Sequence, residues 1–124
     1  YLIMKLDITL LFNRIALSAL MMTHGYPKLL KLFSENPSFS NPIGIGELPT
    51  LILAVFAEFV APVFIILGYK TKLFSFFPIA TMVVAAFVVH FDDPFGRKEK
   101  AVLYLVGYMI IFLQGPGKYS IDKK

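Results

Sequence analysis

The chain of 124 residues contains no cysteine. That absence excludes disulfides, thiolate zinc sites, iron–sulfur clusters and covalent c-type haem, and it leaves the redox compartment open. Charge is scarce as well. Asp, Glu, Lys and Arg together make up 16%, against 57% hydrophobic residues and a mean hydropathy of +0.73. Soluble domains sit nearer about 45–50% apolar, and a chain this short has too little interior to hide the surplus. No basic cluster interleaved with aromatics is present, which argues against nucleic acid. Nor is there a nucleophile–base pair, a phosphate loop, a metal-ligand motif or an internal repeat. No intrinsic catalytic activity and no metal are expected from such a sequence.

What is present is apolar run after apolar run. A helix needs roughly 20 such residues to cross a bilayer. Four segments qualify or nearly do: residues 6–33 with a kink near Pro27, 49–68, 73–91, and 100–114, the last short unless its helix starts earlier. The runs are continuous, whereas barrel strands alternate over about ten residues. The expected fold is all-α, a four-transmembrane-helix bundle forming one membrane domain over residues 1–124. The first run carries Asp7, Asn13 and Arg14 and lacks a small-residue cleavage site, so a cleaved signal peptide is not expected.

The connections predict topology. "YKTK" (69–72) is a tight turn that makes the second and third spans antiparallel neighbours. Residues 34–50, with three Pro and two Gly, read as a surface loop covering one end of the bundle. "GPGKYS" stops the fourth span. Four spans place both termini and "YKTK" on one side. That side holds Lys5, Arg14, Lys70, Lys72, Lys118, Lys123 and Lys124; the other holds Lys28, Lys31, Arg97, Lys98 and Lys100. The positive-inside rule then puts the termini in the cytoplasm.

The few polar residues inside the runs share faces. At about 100° per residue, Asp7, Asn13, Arg14, His24, Lys28 and Lys31 fall within roughly 120° of arc. Arg14 reads either as a snorkelling side chain or as a partner of Asp7 two turns earlier. In the second span Glu58 lies on a face of small or helix-perturbing residues, among them Ala54, Ala57, Ala61, Pro62 and Gly68. Small faces let membrane helices pack closely, so Glu58 turns toward another helix or a cavity. Pro62 has no N–H for the carbonyl four residues back, which is that of Glu58. Carboxylate and released carbonyl thus lie at one level. His90 sits at the end of the third span, and Tyr104 and Tyr108 share a face of the fourth. His24, Lys28, Glu58, His90 and Tyr108 form the candidate polar pocket. Two readings of Glu58 stand level: polar glue between helices, or a ligand or proton site.

Three stretches resemble the DoxX family of small four-helix membrane proteins. They are "NRIALSALMMTHGYPKLLKLF", "FAEFVAPVFIILGYKTKLFSFFPIATMVVAAFVVHF" and "YLVGYMIIFLQGPGKYSID". The first contains Arg14 and a His24–Gly25–Lys28 element, the second Glu58 in a helix ending in Gly and a basic turn. The resemblance implies a bacterial inner-membrane protein, multi-pass, acting as an accessory subunit near quinone-linked electron transfer, beside other membrane subunits in the lipid bilayer. It also implies partnership with thiol and peroxide defence systems, which fits poorly with a chain that has no thiol. On these terms a quinone at the candidate pocket is favoured over haem or metal. A small proton or solute transporter and a purely structural assembly subunit are the alternatives.

Overall fold

The computed structural model describes residues 2–34, 43–89 and 92–122. Among them there are helices and turns and no strand. The helices are α1 (Leu2–Leu32), α2 (Glu47–Leu67), α3 (Thr71–Val89) and α4 (Phe95–Gln114). The expected all-α bundle is present. α1, α2 and α3 are long and apolar enough to cross a membrane. α4 starts earlier than its apolar run, at Phe95, but opens with the charged stretch FGRKEK, so its apolar part begins only at Ala101. Pro27 sits inside α1 without ending it. Large apolar side chains point outward all round, among them Phe12, Leu20, Leu73, Phe76, Phe87 and Leu113. A protein facing water would not present such a belt.

The helices pack in a ring, α1 on α2, α2 on α3, α3 on α4 and α4 back on α1. Each contributes to the core: Met21 from α1, Ile65 from α2, Met82 from α3, and Tyr108 and Ile111 from α4. The Tyr108 hydroxyl lies 3.2 Å from Ser18 Oγ across the core, so neither buried hydroxyl goes unpaired. Glycine sets the closest approach. A Cβ at Gly25 would stand 2.4 Å from the carbonyl oxygen of Glu58, which means that α1 lies directly against the α2 backbone there.

α2 and α3 form a hairpin, as the tight turn predicts. α2 stops at Gly68, whose φ of 73° is left-handed, and Tyr69 N–H returns to the Phe64 carbonyl. Near the turn the two helices are sealed by aromatics: Phe64 stacks on Phe74 at 4.5 Å, and Phe56 meets Phe77 edge-on at 4.8 Å. Past that level they part, and the Glu47–Val55 half of α2 makes little contact with α3. Each helix contains a π-turn, at Phe56–Val60 and at Ala85–Val89. The first has a cause in the sequence. Pro62 supplies no N–H and crowds the carbonyl four residues back. The widened turn accommodates this, with Ala61 N–H reaching the Phe56 carbonyl five residues back.

After Gly115 the chain turns back as a strap over the hairpin end. Ile121 N–H bonds the Leu67 carbonyl at 3.1 Å, and Asp122 N–H bonds that of Gly68 at 2.9 Å. Asp7 of α1 accepts from Lys118 N–H at 3.2 Å. The start of α1, the α2–α3 turn and the strap therefore lie at one end of the bundle, as an even number of antiparallel helices requires. Of the loop expected over the other end, residues 35–42 lie outside the described residues.

Candidate functional site

Glu58 is buried, 2% exposed, at the widened turn of α2. Its carboxylate meets Lys28 of α1, with Nζ 2.5 Å from Oε2. A lone charge in a membrane interior is costly, and a partner across the helix seam is the expected remedy. Gly25, one turn before Lys28 on the same face of α1, lets the helices come close enough for the pair to form. The carbonyl that Pro62 cannot engage is the one lying against Gly25. Both polar features of residue 58 thus face α1.

The ion pair stands between two cavities. The larger, of 460 Å³, fills the gap where α2 and α3 part. Its walls are mostly apolar, with Leu53, Ala54, Ala57, Phe77, Ala80 and Ala85 among them, and Thr50 and Thr81 add two hydroxyls. The smaller, of 200 Å³, lies between α1 and α4 and is polar on one side, with His24, Lys100 and Tyr104. Lys28, Glu58, Met82 and Ala85 line both. The His24 ring meets the edge of Tyr104 at 5.5 Å.

His24, Lys28 and Glu58, three of the residues expected in a pocket, come together. Tyr108 does not join them: it is fully buried against Ser18 and lines neither cavity. His90 lies outside the described residues. Tyr104 and Lys100, one helical turn apart on α4, line the polar cavity instead. In the sequence Tyr104 shares a face with Tyr108, and Lys100 stands only among the cations of the side opposite the termini. Among the described residues no three His, Asp or Glu side chains converge as metal ligands would.

Arg14, the other buried cation, has a different role from either expectation. It is fully buried, so it does not snorkel, and Asp7 is engaged with Lys118. Nη1 donates to the Ile65 and Ile66 carbonyls, both at 2.9 Å, and Nη2 donates to the Tyr119 carbonyl. A guanidinium at a helix C-terminus satisfies open carbonyls and opposes the negative end of the dipole. Asp122 does the converse at the start of α3. Its carboxylate accepts from Lys70 N–H at 2.9 Å, Thr71 N–H at 2.8 Å and Thr71 Oγ1 at 2.9 Å. These two residues clamp the hairpin at the end away from the cavities.

The DoxX family model matches residues 9–91. The chain is similar to two Escherichia coli K12 proteins. It is 24% identical to inner membrane protein YqjF over 123 residues, covering 94% of this chain and 92% of that one. It is 28% identical to inner membrane protein YphA over 131 residues, covering 94% and 90%. No solved structure matches.

Proposed function

This chain belongs to the DoxX family, and on that footing we propose that it is an accessory subunit of a quinone-linked membrane complex, holding a quinone ring beside Glu58. One observation carries the reading: an ion pair between half-buried Lys28 and buried Glu58 forms part of the wall of a mostly apolar cavity. Small-molecule sites are of this kind, roughly 300–1,000 Å³ with a few polar groups that fix orientation. Lys28 would donate to a ring carbonyl of the quinone, and Glu58 would accept from a ring hydroxyl of the reduced quinol. By the lysine and arginine count the strap end faces the cytoplasm, in a bacterial inner membrane such as the one named for both relatives.

The test is binding of decylubiquinone and of decylubiquinol to the purified protein in neutral detergent, with variants Glu58→Gln and Lys28→Gln that keep the helical spectrum. Lys28→Gln should weaken quinone binding and Glu58→Gln quinol binding, each at least about tenfold, the size of one lost charge-assisted hydrogen bond. Undiminished affinity in both rejects the site. Capture of larger membrane subunits with the tagged protein tests the accessory role. Orientation is read by placing single cysteines in this thiol-free chain and labelling them from either side.

A second reading, a small proton or solute conductor, draws on the pair's position between two chambers. Proteoliposome flux that Glu58→Gln leaves unchanged rejects it.

A further inference from the structure

We propose that the two cavities form one site for an amphiphile with an anionic head, its apolar body in the gap between α2 and α3 and its head between Lys28 and Lys100. The proposal rests on reading this region as a ligand site, but not on the ligand being a quinone.

The first support is shape. The apolar cavity and the polar cleft share Lys28, Glu58, Met82 and Ala85, so one molecule can reach from the first into the second along the ion pair. The apolar part lies where α2 and α3 have separated, beside outward-facing Ile52 and Leu53, so its contents exchange with the bilayer. A ligand arriving that way brings its own hydrocarbon. Burying it against Leu53, Ala54, Phe77 and Ala80 adds close packing, which is what attracts apolar groups to one another within lipid.

The second support is charge. Among the described residues, two lysines and one carboxylate line the combined space. Glu58 is matched by Lys28, so Lys100 is left as a surplus positive charge. Among the described residues it makes no hydrogen bond or ion pair, and it lines the cleft together with His24. His24 and Tyr104 add hydrogen-bonding groups beside it. Lys100 is exposed, so a neutral head leaves its charge to water. A carboxylate or phosphate neutralises it and receives charge-assisted hydrogen bonds, roughly twice as strong as neutral ones.

The experiment offers the purified protein, in neutral detergent, an equimolar mixture of hexadecanoate and hexadecan-1-ol, and counts bound molecules by native mass spectrometry. The acid adduct should exceed the alcohol adduct at least tenfold. Lys100→Gln should bring the ratio close to one, and Lys100→Arg should keep it. Leu53→Trp, which fills the apolar cavity, should remove the adduct without changing the melting temperature. Equal adducts on the unaltered protein, a ratio indifferent to Lys100→Gln, or an adduct that survives Leu53→Trp overturns the proposal. A parallel mixture of phosphatidylglycerol and phosphatidylcholine separates the sources. Preference for hexadecanoate assigns the head to a free acid, preference for phosphatidylglycerol assigns it to a lipid phosphate, and preference for neither anion counts against the site. Decylubiquinone is measured alone. Acid binding without quinone binding rejects the quinone and keeps this inference; the reverse result rejects this inference and keeps the quinone.

Discussion

Gly25 is the place where α1 and α2 touch backbone to backbone, and Gly25→Ala is the sharpest test of that seam. The new Cβ would lie 2.4 Å from the Glu58 carbonyl oxygen, 2.6 Å from its carbon and 3.0 Å from Phe59 N. All three are main-chain atoms, so no side chain can swing aside. Carbon–oxygen contacts settle at about 3.3–3.6 Å, so the helices must separate by roughly 1 Å. A gap of about 0.5–1 Å forfeits a quarter to a half of each contact along the seam. Overpacking costs about 1–3 kcal/mol, and a clash with backbone belongs near the top of that range. Better helix propensity returns about 1 kcal/mol. The net expectation is a loss of about 1–2 kcal/mol, together with weaker ligand binding, because Lys28 is carried away from Glu58. Gly96→Ala is the matched control. It lies in the first turn of α4 with nothing within 4 Å of the added Cβ, so only propensity should show, with the opposite sign. The measurement is reversible denaturation in detergent followed by circular dichroism. If Gly25→Ala is as stable as the unaltered protein, or shifts in the same direction as Gly96→Ala, the close seam is refuted.

Three further outcomes follow from the same geometry. Arg14→Lys should destabilise by about 2–4 kcal/mol in the same denaturation assay, because one ammonium cannot reproduce the fork that joins Ile65, Ile66 and Tyr119 carbonyls. Asp122→Ala should cost about 1–2 kcal/mol, the loss of a helix N-terminal cap, and should raise hydrogen exchange at Lys70 and Thr71 N–H before the rest of α3. The double variant Glu58→Gln with Lys28→Gln should destabilise less than the sum of the two single variants. The pair removed together should recover about 1–3 kcal/mol of coupling, and a coupling near zero would mean that the contact contributes nothing.

Much of the fold was legible because lipid and helix geometry impose strict patterns. Continuous apolar runs could only be membrane helices, and Gly68 followed by "YKTK" could only be a sharp turn between neighbours. The small-residue face around Glu58 said that it would turn toward another helix or a cavity, and Glu58 meets Lys28 of α1 and lines both cavities. The π-turn was half legible: Pro62 announced a released carbonyl, but the response of the backbone to it depends on what lies alongside. Gly25 lies alongside, and its sequence position says nothing about Glu58.

The functions of Arg14 and Asp122 were out of reach for a physical reason. Both act on main-chain groups of elements more than fifty residues away, and carbonyls and N–H groups look alike in every residue. No periodicity marks which helix end a side chain will cap. The same holds for Tyr108, which shares a face with Tyr104 yet goes to Ser18 and the core, while Tyr104 goes to the polar cavity. Sequence by itself determined that the chain lives in a membrane, how its helices divide and that Glu58 faces inward, because transfer energies and helical period act locally. Tertiary structure alone decided that Glu58 pairs with Lys28, that α2 and α3 part to leave a cavity, and that the tail locks the opposite end. Those depend on how closely backbones approach, which only the packed bundle fixes.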